Sequence, residues 1–308
     1  MSSGSIPPTR GTRSPNRRGP WGLHPVLVLT LMTAGMAAAA EVVPTVLGAF
    51  DFSEDGGKQE KLPRALEEVS GLTVTPLGRV LAHNDERAVI YELDPQTWNV
   101  AKVFSAGIGG VRGDFEGIAS VEDRLFLMTS SGDLLETAEG EDGSVMQYRI
   151  HRMGLQRLCE FEGLAFDPPA NSLLLPCKRT KTNELKGHLV VFAVELDSMR
   201  PYPVPHLFIP FGTLEDGEVG GSFHPSGIEV HLETGRRILI SAQEETILEI
   251  SPGGIFLGGR KLHKKTHPQP EGITFLADGS LLLADEGQGK RGRLTRYEVR
   301  PDDGEGAS

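Results

Sequence analysis

Three glutamates occupy the same place in a recurring phrase, each followed by glycine and an aliphatic residue: Phe115-Glu116-Gly117-Ile118, Phe161-Glu162-Gly163-Leu164 and Pro270-Glu271-Gly272-Ile273. Two more copies carry serine there, Ser70 before Gly71-Leu72 and Ser226 before Gly227-Ile228. Carboxylates gathered at one narrow opening raise one another's pKa and need a compensating charge to stay ionised together. Ca²⁺ supplies one, taking about six to eight oxygen ligands from carboxylates, amides and water. Glu116, Glu162 and Glu271 are therefore candidate metal ligands, with help from Asn84 or Asp285. The competing reading is structural: each carboxylate accepts hydrogen bonds from backbone N–H groups of the neighbouring repeat. Three residues before each glycine stand Glu68, Asp114, Glu160, His224 and Gln269. His224 is the candidate for proton transfer, because imidazole titrates near neutral pH. Ser70, Asn84, Asp85, Ser226, Gln243 and Glu286 are candidate ligand-binding residues around the same opening, which Lys178 and Glu244 should also reach.

What must position these residues is a repeat. The five glycines are separated by 46, 46, 64 and 45 residues. Each phrase opens a succession of short β-rich segments, as in Gly71 to Thr75, Arg79 to Ala82, Val89 to Leu93 and Trp98 to Phe104. Four antiparallel strands repeated at that period predict an all-β chain folded as one β-propeller of five four-stranded blades. A sixth blade hidden in 179–222 is the alternative, although those residues read as polar or glycine-rich loop insertions. The last unit supplies only three strands, and an unpaired edge there would break the ring. The β-rich segment 45–52 is expected to add the missing strand and close it. In such a ring the first strand of every blade lines the central channel, which puts the phrase residues at one mouth. The glycines themselves are expected where backbones approach closely at the axis.

The ends and the charge narrow the function. Residues 1–40 read as a signal peptide, with Arg10, Arg13, Arg17 and Arg18 before an apolar run that ends in Ala37-Ala38-Ala39-Ala40. The run is shorter than the roughly 20 residues of a spanning helix. Cleavage near Ala40 would leave a propeller over 41–300 and a disordered tail over 301–308, in the periplasm or outside the cell. An uncleaved N-terminal anchor is the alternative. Without those four arginines the 31 basic residues fall to 27 against 42 acidic ones, a formal charge of −15. No basic stripe is present to neutralise phosphates, which argues against a nucleic-acid partner. The mature chain is expected not to span a membrane.

Cys159 and Cys177 both fall in the third repeat, close to register, so in an oxidising compartment a bridge between them is open. His263 and His267 stand four apart, but Pro268 and Pro270 argue against a helix, and a surface loop is expected. No Gly-x-Ser-x-Gly, Walker, dinucleotide or His-Glu-x-x-His motif occurs.

The ordered set of phrases resembles the SdiA-regulated (YjiK-like) β-propeller family, as do His83-Asn84-Asp85-Glu86, Ile247-Leu248-Glu249-Ile250 and Leu283-Ala284-Asp285-Glu286. The resemblance covers about residues 65 to 299. It implies an exported or membrane-tethered propeller related in architecture to NHL-repeat, paraoxonase-like and phytase-like propellers, with no agreed activity. This chain departs from the pattern at Met128-Thr129-Ser130-Ser131, where an acidic residue is expected, and at Pro176-Cys177 beside Lys178. The reading favoured is a binding or scaffold protein of the bacterial envelope, its partner a small molecule or an envelope protein. The alternative is a metal-dependent hydrolase of lactones or phosphoesters, for which only the fold analogy and the acidic mouth speak.

Overall fold

A computed structural model describes residues 44–217 and 219–300. It is all-β, and its strands form five sheets arranged as five blades of a β-propeller. Blade 1 runs from its inner strand Val69–Val74 through Val80–Asn84 and Val89–Leu93 to Val100–Ala106. Blade 2 has Phe115–Val121, Arg124–Thr129, Leu134–Ala138 and Tyr148–His151. In blade 3 the inner strand is split into Cys159–Phe161 and Ala165–Asp167, followed by Ser172–Thr180, His188–Glu195 and Leu207–Pro210. Blade 4 comprises Gly227–His231, Arg236–Ser241, Thr246–Ile250 and Phe256–Lys261. Blade 5 takes Pro270–Phe275, Leu281–Asp285 and Arg293–Tyr297 from one part of the chain and Lys58–Lys61 from another.

The blades have no core of their own. A strand exposes alternate residues on opposite faces, and here both faces are apolar, so each blade buries one face against each neighbour. Leu125 and Leu127 pack toward blade 1, while Phe126 and Met128 pack toward blade 3. Likewise Leu239 faces blade 3, and Ile238 and Ile240 face blade 5. Five hydrophobic clusters result, one in each gap between blades.

An N-terminal strand closes the ring, as the missing fourth strand requires, but it lies at Lys58–Lys61 and not at 45–52. Its four residues, Lys-Gln-Glu-Lys, are all exposed and pair antiparallel with Arg293–Arg296. The segment 45–52 instead forms a short 3₁₀ turn, Leu47–Ala49, whose Leu47, Phe50 and Phe52 wedge into the gap between blades 4 and 5. Glu249 fixes the wedge by accepting from the Leu47 N–H at 3.0 Å. Residues 179–222 build no sixth blade; they extend blade 3 and its exit loop. No helix among the described residues is long and apolar enough to cross a membrane.

Cys159 and Cys177 are joined in a disulfide. A register shift between Glu160 and Phe161 sets Cys177 opposite Phe161, which brings the two cysteines within reach. The surface loop expected around His267 is corrected: its side chain is fully buried, with Nδ1 2.8 Å from Asp285 and Nε2 2.6 Å from the Tyr297 hydroxyl. It ties the entry of blade 5 to that blade's second and third strands.

The inner strands pack directly on one another around the axis. At Gly163, whose φ is +89°, a Cβ would stand 2.8 Å from the Gly227 Cα. Gly163→Ala should therefore cost about 3 kcal/mol, from the left-handed backbone and the overpacking together. Gly143→Ala, also at positive φ but facing open space, should cost about 1 kcal/mol. Urea denaturation of the two variants checks this, and equal losses would show that the axial contact is not tight.

Candidate functional site

In three blades the ladder skips the phrase residue. In blade 1, Val69 pairs with Asn84 and Gly71 with His83, so Ser70 sits on a β-bulge. The same shift leaves Glu116 and Glu271 on bulges in blades 2 and 5. Bulges re-aim side chains away from the regular pleat. The aliphatic residues that follow, Leu72, Ile118, Leu164, Ile228 and Ile273, line the axis and fill it, leaving a void of about 10 Å³. The channel is thus plugged, and the phrase glutamates face one end only.

At that end the central group is Lys178, on the second strand of blade 3. Its ammonium pairs with the buried Glu162 and is held charged, against the effect of burial, by Glu162, Glu116 and Glu271. Burial pushes Glu116 up to about 8, reinforced by the charges of Glu162 and Asp114. It pushes Glu162 up to about 7, with Lys178 pulling the other way. Glu271 is raised well above the carboxylate range by burial and by Glu162 and Glu286. Near neutral pH the cluster therefore holds one ion pair, Lys178 with Glu162, flanked by two carboxyls that resist ionisation.

Further acids crowd the rim. Asp85 is raised by burial, and Glu68 chiefly by the charge of Asp85. Glu286 is raised by burial and by Asp85. The buried Asp85 Oδ1 and Asn84 Oδ1 have no hydrogen-bond partner. The mouth therefore presents more acceptors than the one lysine can satisfy.

The structural reading of the carboxylates is not what the contacts show. Glu116 accepts from the Ser70 hydroxyl at 3.4 Å and Glu271 from the Gln269 amide at 3.2 Å. Blades are instead stitched by backbone: the Gly163 N–H donates to the Glu116 carbonyl at 2.6 Å. Ser226 belongs to this stitching, donating to the Pro270 carbonyl at 2.6 Å.

The expected calcium ligands do not fit a metal site. Lys178 fills the position a cation would take beside Glu162. Asp285 is spent inside blade 5, its Oδ2 on His267 and its Oδ1 accepting from the Gln269 N–H at 3.1 Å. Among the described residues no group of three or more His, Cys, Asp or Glu is disposed to hold a metal ion. Asn84 donates to the Ala65 carbonyl at 2.7 Å. His224 and Gln243 both turn to Glu244, His224 Nδ1 at 2.7 Å and the Gln243 amide at 3.2 Å. They form a second polar group in blade 4, apart from the contacts that surround Lys178. Sequence reasoning placed Lys178 at the mouth but gave it no role, although a lysine among several carboxylates there was the available signal.

No protein-family model matches the chain, and no curated protein matches it. Its fold is similar to that of Myxococcus xanthus glutaminyl cyclase, at 15% identity over 79% of this chain and 96% of that one, with a TM-score of 0.54. A calcium structure of a Trichoderma reesei carbohydrate-active enzyme of family AA12 is similar at 10% identity over 83% and 99%, with a TM-score of 0.51. The PQQ-bound aldose sugar dehydrogenase of Streptomyces coelicolor follows at 15% over 79% and 98%, with a TM-score of 0.50. These likenesses show a shared propeller fold, on which several chemistries are carried.

The mouth has a measurable signature. The folded pKa values of Glu116 and Glu162, about 8 and 7, lie above the ordinary 4.5. A carboxyl raised in the fold contributes stability that is complete below about pH 4.5 and is lost as pH climbs through 7 to 8. Lys178→Met removes the charge that opposes this loss. The variant should melt close to the wild type at pH 5 and be less stable by roughly 2 kcal/mol at pH 8.5. A deficit equal at both pH values in thermal melts would show that Lys178 acts by packing alone.

Proposed function

We propose that the chain is an exported binding propeller of the SdiA-regulated type, whose acidic mouth takes a small, hydrophilic, positively charged ligand. One observation carries the reading: the glutamates at the mouth, of which only Glu116 meets a neighbouring blade's hydroxyl, that of Ser70, outnumber the single lysine among them. A ligand ammonium or guanidinium would offset the burial that chiefly raises Asp85 and Glu286 and the repulsion that chiefly raises Glu68, and would give Asp85 Oδ1 a donor. Export is supported by the signal-like residues 1–40 and by the Cys159–Cys177 bridge, since disulfides persist in oxidising compartments. The metal-dependent hydrolase reading asks for an ion where Lys178 stands beside Glu162.

Spermidine serves as the probe in titration calorimetry at low salt. Its affinity should rise as pH goes from 6 to 8.5, because ionised Glu116 and Glu162 attract the cation. Glu116→Gln should lower that affinity about tenfold at pH 8.5, the effect of one close charge pair at the surface. Absence of binding heat at pH 8.5, or an affinity unmoved by Glu116→Gln, would sink the proposal.

A further inference from the structure

The opposite end of the axis is built differently. Beyond the aliphatic plug, the far ends of all five inner strands and the turns that follow them enclose a cavity of about 460 Å³. That volume lies within the range of small-molecule sites, about 300–1,000 Å³. Its walls are largely apolar, with Val74, Phe166, Leu232 and Phe275 among them. Leu232, on the rim, is 76% exposed, a large apolar side chain left facing water.

The cavity follows from a sequence position shared by the blades. Two residues after each phrase glycine stand Thr73, Ala119, Ala165, Glu229 and Thr274. Four blades place a small residue there, which leaves the space open; blade 4 places a carboxyl in it. Glu229 is positioned by its neighbours: Oε1 accepts from the Val230 N–H at 2.8 Å and Oε2 from the Thr274 hydroxyl at 3.0 Å. Among the described residues no Lys, Arg or His lines the cavity, and its other acidic lining residue is the exposed Glu122 on the rim. Of the charged groups close by, Asp167 is committed to Arg237, and His231 packs edge-on to Phe275 at 5.0 Å. Glu229 thus has hydrogen bonds but no counter-ion in an apolar chamber.

We infer that this chamber is a second binding site, separate from the acidic mouth, for an apolar organic amine whose ammonium pairs with Glu229 and whose hydrocarbon body fills the space between Phe166 and Phe275. Burial pushes Glu229 up to about 7, while the Val230 N–H and the Thr274 hydroxyl favour its ionised form. The site is therefore in its cation-binding state at mildly alkaline pH.

The full chain is titrated by calorimetry with 4-phenylbutylamine, 4-phenylbutanol and 4-phenylbutyrate at pH 8 and pH 5.5. At pH 8 the amine should bind at least tenfold tighter than the alcohol, and the carboxylate more weakly than either. The preference for amine over alcohol should shrink at pH 5.5. Glu229→Gln should erase that preference while alcohol binding persists, and Ser120→Phe, which fills the chamber, should remove both without lowering the melting temperature by more than a few degrees. Equal binding of the three probes, no binding by any of them at millimolar concentration, or amine binding unaffected by Glu229→Gln would overturn the assignment.

Discussion

Everything in this molecule depends on how closely five backbones can approach one axis. At Gly117, Gly163 and Gly227 a Cβ would meet the backbone of the next blade at 2.6 to 2.8 Å, and at Gly272 the side chain of Leu72 at 2.8 Å. Contacts that short exclude every residue but glycine. The consequences spread outward. Because the glycines let the strands close in, the following aliphatic residues meet and seal the channel. In blades 1, 2 and 5 the preceding residue, Ser70, Glu116 or Glu271, is squeezed out of the ladder on a bulge.

The phrase was legible because it answers to that one constraint. Five blades, their order and the mouth residues all follow from it, and Glu116, Glu162 and Glu271 do gather around one group. What escaped sequence reasoning has physical reasons too. Lys58–Lys61 lies on the outermost edge with neither face buried, so no apolar alternation marks it as a strand. Phe50 and Phe52 are apolar because they fill a gap between blades, and their hydrophobicity imitated a strand. His267 lies between charged and proline-rich residues that read as solvent-facing, yet its partners, Asp285 and Tyr297, come from other strands of its blade. Glu229 was visible as the odd residue at its repeat position, but the cavity it serves arises from the small residues of the other four blades.

The two ends of the axis show how one scaffold separates two chemistries. On one side, acids lie close enough to shift each other and share a lysine. On the other, a single carboxyl is raised by desolvation against two hydrogen bonds that lower it, with no charged neighbour contributing. The aliphatic plug, with its void of about 10 Å³, lies between these two environments. Substitutions at one end should thus act independently of the other, as expected for sites without shared partners.

The seam in blade 5 also bears on how the chain reaches this state. Lys58 lies opposite Arg296, so the pairing that completes the ring joins residues 238 apart. Such a contact is among the most non-local the chain can make, and non-local pairing slows folding. Until it forms, Arg293–Tyr297 is an open edge strand, able to recruit another chain. The charged strand Lys58–Lys61 that covers this edge therefore also guards the ring against edge-to-edge pairing with another chain.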